Sequence, residues 1–78
     1  MAIAGFEQLT DREVEVLALI VHQHSDREIS ELLDISLNTV YKHVASVLLK
    51  LQVESRREAA RRYLREVVGL SPFNPQIK

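Results

Sequence analysis

Asn38, Tyr41, Lys42 and Ala45 are spaced at i, i+3, i+4 and i+7, which puts an amide, a phenol, an ammonium group and a bare methyl on one side of a helix. That set suits contact with flat polar edges. Lys42 can donate to a paired acceptor such as guanine O6 and N7, Asn38 can reach a base or a phosphate, and Ala45 can touch a thymine methyl. Tyr41 can donate to a phosphate or pack on a sugar-phosphate edge.

Other chemistries lack their residues. The chain has 78 residues and no cysteine, so thiolate metal sites, disulfides and cysteine nucleophiles are excluded together. Of the three histidines, only His22 and His24 are close in sequence, and a spacing of two does not stack them on one helix face, so no metal is expected. There is no phosphate-cradling glycine loop and no paired nucleophile and base. A chain of this size has little room for a substrate cavity beside a core. Neither an enzyme, nor a cofactor, nor a small-molecule substrate is expected. No apolar run approaches the roughly 20 residues needed to span a bilayer, and no cationic flank precedes an apolar stretch at the start, so the expectation is a cytoplasmic protein without a membrane partner.

The candidate residues need a helix to carry them, and the sequence marks four. Thr10 with Glu13, Ser25 with Glu28 and Ser55 with Glu58 each have the spacing of a capping box, in which hydroxyl and carboxylate reciprocally satisfy free backbone N–H groups. Ser36 is a further N-cap candidate. Apolar residues then recur at helical spacing: Val14, Leu17, Ala18 and Val21; Ile29, Leu32 and Leu33; Val40, Val44, Val47, Leu48 and Leu51; and Ala59, Ala60, Tyr63, Leu64, Val67 and Val68. Gly69 and Pro72 are stop signals. No segment alternates like a strand, so the fold class expected is all-α, a four-helix bundle. Residues 1–8 read as an N-terminal extension, 9–69 as the domain and 70–78 as a C-terminal tail. Only Asp34 and Ile35 separate the second helix from the Ser36 cap of the third, which is the tight join of a helix-turn-helix, with its core at about 26–45. Charge is also divided: residues 1–35 hold two basic against eight acidic residues, whereas 36–78 hold eight basic against three acidic. That asymmetry favours an anionic partner.

Five blocks carry a resemblance. Leu9-Thr-Asp-Arg-Glu-Val-Glu-Val-Leu17, Ser25-Asp-Arg-Glu-Ile29, Leu33-Asp-Ile-Ser36, Thr39-Val-Tyr-Lys-His43 and Lys50-Leu-Gln-Val-Glu-Ser-Arg56 resemble, in order and spacing, the LuxR-type domain, also called GerE- or NarL-like. This is the helix-turn-helix output domain of many bacterial transcription regulators. The resemblance implies sequence-specific binding of duplex DNA, with helix 36–51 in the major groove and bases read from the positions of Tyr41, Lys42 and Ala45. It also implies phosphate contacts from Arg27, Thr39 and Lys50, with the Ser36 hydroxyl and His43 as further candidates. Four of these five have a plainer reading: Thr39 as a helix-start residue, Lys50 as a surface charge, Arg27 as an ion-pair partner of Glu31, and His43 as a partly structural residue.

In the family the fourth helix mediates dimerisation. Ala60, Leu64 and Val68 can close the core here, leaving Ala59, Tyr63 and Val67 for a second copy, with RNA polymerase a further candidate partner. Arg57, Arg61 and Arg65 read as a solvated face, with Arg62 bridging Glu58 and Glu66. Two departures bear on loop geometry. Gln23 stands where the family has glycine, so a left-handed backbone there is strained, and Ser30 replaces a common alanine. Relatives usually carry a separate sensing domain, and none is read here, so the chain fits either an output domain or a small free-standing regulator. Alternatives are a protein-interaction module on the same scaffold, or an element resembling the fourth region of sigma factors; His43 and the Lys50–Arg56 block resemble the LuxR type instead.

Overall fold

A computed structural model describes residues 5–69, and these form α-helices without strands: α1 (Asp11–Val21), α2 (Asp26–Leu33), α3 (Leu37–Leu51) and α4 (Arg56–Arg62). A 3-10 turn over Phe6–Gln8 precedes α1, and a π-helical stretch, Tyr63–Val68, continues α4. The chain is an all-α, four-helix domain. The tail expected over 70–78, the Pro72 stop and the core role given to the Val68 side chain lie outside the described residues. Among the described residues no helix is long and apolar enough to cross a membrane.

The helix starts follow the cap signals closely, with one exception. Thr10 and Ser25 form full capping boxes: their hydroxyls accept the N–H groups of Glu13 and Glu28 at 3.1 Å, and the two carboxylates accept the Thr10 and Ser25 N–H groups at 2.9 Å. The third box is only half made. Ser55 accepts the Glu58 N–H at 3.2 Å, but the Glu58 carboxylate takes the Glu54 N–H at 2.9 Å instead. Ser55 sits at φ −145, against −73 and −76 for Thr10 and Ser25, which turns its own N–H away from the returning carboxylate.

The first three helices end alike. Gln23, Asp34 and Gln52 adopt φ of 66, 56 and 58, and the following N–H groups of His24, Ile35 and Val53 reach back to the carbonyls of Leu19, Ser30 and Leu48 at 3.0 Å. This is the Schellman closure, which glycine fills most easily. The left-handed backbone expected at Gln23 is present, and Asp34 makes the tight turn from α2 into α3.

α3 is the spine of the core. Val40 and Val44 pack with Val16, Ile20 and Ile29, while Val47 and Leu51 pack with Leu17 and Ala59. The stripe expected on α1 was rotated from the one found. Glu13, Val16, Leu17 and Ile20 are buried, whereas Val14 is 45% exposed. The inward face begins at a carboxylate, so apolar periodicity alone misplaces it. On α2 only Ile29 is fully buried, and Leu32, expected inside, is 58% exposed.

Residues 5–8 pack onto the domain. Gly5, at φ 87, lies so close to α3 that a Cβ there would collide with the Lys50 carbonyl oxygen. Phe6 meets Tyr63 edge to face at 6.2 Å, and the Arg62 guanidinium lies 5.3 Å from the Phe6 ring centre. The 3-10 turn thus joins the end of α3 to α4.

Candidate nucleic-acid interface

The face opposite the α3 core stripe is open. Asn38, Tyr41, Lys42 and Ala45 are all exposed, Tyr41 by 51%, while Val40, Val44 and Val47 on the other side are buried. None of the four is hydrogen-bonded or ion-paired through its side chain among the described residues, so their polar groups are available to a ligand. At the start of the helix the Ser36 hydroxyl accepts the Thr39 N–H at 3.1 Å and lies 2.9 Å from the Thr39 hydroxyl. This pair fixes the first turn of α3 beside the open face. Arg27 is exposed in the first turn of α2, without the ion pair to Glu31 that its spacing allows, and His43 is half-buried beside Val44.

Lys50 is placed differently from expectation. Its Nζ donates to Glu13 Oε1 at 2.8 Å, and the same carboxylate accepts from Ser46 Oγ at 2.6 Å and from the Thr10 N–H. The ammonium is therefore engaged in an internal anchor, which leaves fewer of its donors for a phosphate than the sequence reading gives it. Of the two lysines on α3, Lys42 is the one without a carboxylate partner among the described residues. Burial works to raise the pKa of Glu13, but the hydrogen bonds from Lys50, Ser46 and the Thr10 backbone, with the charge of Lys50, outweigh it and lower the value from 4.5 to about 2. Glu13 is thus a carboxylate at neutral pH that clamps the start of α1 to the second half of α3.

A second polar tie holds α4 to the helix-turn-helix. Arg56 Nη1 and Nη2 donate to Asp26 Oδ1 and Oδ2 at 2.5 and 3.3 Å, a two-pronged contact to the first turn of α2. Arg62 donates to the Leu51 carbonyl and to both Glu66 oxygens, at 3.0 and 3.2 Å, and these bonds hold the Glu66 carboxyl below its ordinary pKa. Glu28 is lowered as well, first by the Ser25 backbone N–H and then by His24.

The proposed pairing edge of α4 is narrower than the sequence indicates. Ala59 has no exposed surface and packs with Leu17, Val47 and Leu51, so it is not available to a second copy. The short α4 lies against both α1 and α3, which draws the Ala59 side inward. Tyr63 is half-buried against Phe6, and Val67 is 45% exposed.

Sequence reasoning missed Glu13 as a tertiary anchor, although a Glu at the head of a run Val16, Leu17, Ile20 is a signal for it. It had no local signal for Arg56 with Asp26. Among the described residues no group of three or more His, Cys, Asp or Glu side chains is arranged to hold a metal ion.

An exposed, unpartnered polar face on a well-anchored second helix, entered through a three-residue turn, defines a helix-turn-helix unit. Residues 7–63 match the family described as bacterial regulatory proteins, luxR family. The chain belongs to that family, and it is a DNA-binding transcription-regulator domain. It is also 43% identical over 54 residues to the response regulator protein VraR of Staphylococcus aureus, with the same identity and coverage for the VraR proteins of Staphylococcus saprophyticus and Staphylococcus epidermidis. Those 54 residues are 69% of this chain and 26% of each relative, so the match spans about a quarter of the relatives' length.

Proposed function

We propose that the chain reads duplex DNA by placing α3 in the major groove, with Asn38, Tyr41, Lys42 and Ala45 facing base edges and Arg27, Ser36, Thr39 and His43 holding the flanking phosphates. The observation that carries this reading is the open face of α3: four side chains of base-contacting type, exposed together and free of internal partners, on a helix held from behind by Glu13 and the core. The Ser36 and Thr39 hydroxyls at the start of α3 suit backbone contacts that set register.

The cationic complement is thin once Lys50 is committed to Glu13. Affinity of a single copy is then modest, because counterion release scales with the number of phosphates neutralised. Two copies pairing through Tyr63 and Val67 would double the contact set and require half-sites about one helical turn, roughly 10 base pairs, apart.

Selection of binding sites from random duplex DNA with the purified chain, repeated at two salt concentrations, tests the reading. An enriched repeat with half-sites about one turn apart is the expected result. No enrichment, with no binding even at low salt, would remove it in favour of a protein-interaction role for the scaffold.

A further inference from the structure

A groove of about 460 Å³ runs between α1 and α4. Ile20, Val21, Ala60 and Leu64 line it with apolar surface, and the exposed guanidinium groups of Arg57 and Arg61 stand along the α4 edge. These two arginines, one helical turn apart, have no carboxylate partner among the described residues. No residue of α3 lines the groove. An apolar channel edged by two unneutralised cations calls for an occupant with an apolar knob flanked by carboxylates, whereas a phosphate backbone would use the cations and leave the channel empty.

The chain itself displays such a surface. Glu28, Glu31 and Leu32 lie at i, i+3 and i+4 on α2 and are exposed together, with Leu32 58% open to solvent. Nothing in the core explains an outward leucine there, since Ile29 alone anchors α2 fully. Glu31 is without an ion-pair partner among the described residues, although Arg27 is within reach by spacing. The two surfaces match in kind: one leucine for the apolar channel, and for the two guanidiniums the unpaired Glu31 carboxylate beside the Glu28 carboxylate, one oxygen of which already takes the Ser25 N–H and His24. They also reproduce locally the opposition between an acidic first half and a basic second half.

The geometry points to a contact between copies of this chain in which the Glu28, Glu31 and Leu32 face of one copy seats in the Arg57 and Arg61 groove of another. The contact uses Arg57 and Arg61 of α4 and the outer face of α2 in place of Tyr63 and Val67, so it goes beyond the pairing described above and does not depend on it. Each copy carries both surfaces. Two copies can therefore close reciprocally about a two-fold axis, or copies can add head to tail in a row. Arg27, one turn before Glu31, remains available to phosphates.

Sedimentation equilibrium of the full chain up to millimolar concentration tests the contact. Wild-type mass is expected to rise with concentration, and less so as salt is added. Arg61→Glu and Glu31→Arg should each weaken association at least tenfold. The chain carrying both substitutions should regain it, because the charges are then exchanged across the same contact. Val67→Glu, which probes the pairing through Tyr63 and Val67 at a position that does not line the groove, should leave this association in place. All these positions are solvent-exposed, and matched circular dichroism melts would show that each variant is folded. A monomer at every concentration would overturn the inference, as would association abolished by Val67→Glu but indifferent to Arg61→Glu, or a double variant that fails to recover. Loss of DNA affinity in Arg61→Glu with no change in mass would assign the arginines to phosphates and overturn it equally.

Discussion

Glu13→Gln isolates the charge of the α1–α3 anchor while keeping its shape. In the wild type the folded carboxyl titrates at about 2, against 4.5 in its ordinary setting. A folded-state pKa below the unfolded one means that the unfolded chain binds more protons in the interval between them. The stabilisation is therefore complete above about pH 4.5 and is lost as pH falls towards about 2. At roughly 1.4 kcal/mol for each pH unit of separation, the effect is on the order of 3 kcal/mol at neutral pH. Glutamine resembles the protonated acid, so the variant should be less stable than wild type by about that amount at neutral pH. In a domain of this size that corresponds to a fall in Tm of roughly 10–25 °C.

Urea unfolding followed by circular dichroism, repeated from neutral pH down to about pH 2, reads the difference directly. The two stability curves should lie well apart at neutral pH and converge below about pH 4.5. A gap that stays constant across this range would refute the reasoning, because it would show that Glu13 acts through shape or neutral hydrogen bonds. A negligible gap at neutral pH would show that burial of the carboxylate cancels its hydrogen bonds from Lys50, Ser46 and Thr10.

Three further outcomes follow from particular contacts. Gln23→Gly and Gln52→Gly relieve left-handed residues at φ 66 and 58, and each should raise stability by roughly 0.5–1 kcal/mol, additively in thermal melts. Lys42→Ala should weaken DNA binding and reduce the salt slope by about one, whereas Lys50→Ala should leave the slope unchanged and lower stability by about 2 kcal/mol, because the buried Glu13 carboxylate loses its cation and keeps only Ser46 and the Thr10 N–H; a titration of affinity against salt separates the two. Gly5→Ala should displace the Phe6 turn, because its Cβ meets the Lys50 carbonyl and φ is 87, and the change would be seen as loss of ring-current shifts between Phe6 and Tyr63 in NMR spectra.

What the sequence made legible is local. The caps at Thr10, Ser25 and Ser36, the strain at Gln23 and the outward set Asn38, Tyr41, Lys42 and Ala45 depend on residues within a turn of one another, and short-range spacing captures them. The illegible parts depend on residues about 30 or more apart. Lys50 reads as a surface cation until Glu13, 37 positions away, is found against it, and Arg56 has Asp26 as its partner at a separation of 30. Ala59 was misplaced for a related reason. A small residue fits either an intimate core contact or an interface, and only the approach of α4 to α1 and α3 decides between them. Phe6 lies outside any helical period, so its place over α4 had no periodic signal.

The anchor bears on how DNA is recognised as well as on stability. On the proposed reading, Glu13 draws one of the two lysines of α3 away from the electrostatic contact with DNA and uses it to fix the helix. That exchange lowers non-specific attraction, because each phosphate left without a cation removes about 0.9 from the salt slope. In return the side chains of the open face keep a fixed direction, since Ser46 and Lys50 on the second half of α3 are both held to the start of α1. On that same reading, a domain built this way obtains its affinity from the fit of Asn38, Tyr41, Lys42 and Ala45 and from the number of copies bound, rather than from its own charge. Spacing between half-sites should therefore matter more to this chain than to a more basic one: moving two half-sites by half a helical turn should reduce binding almost to the level of a single site, and equal binding to both spacings would show that each copy acts alone.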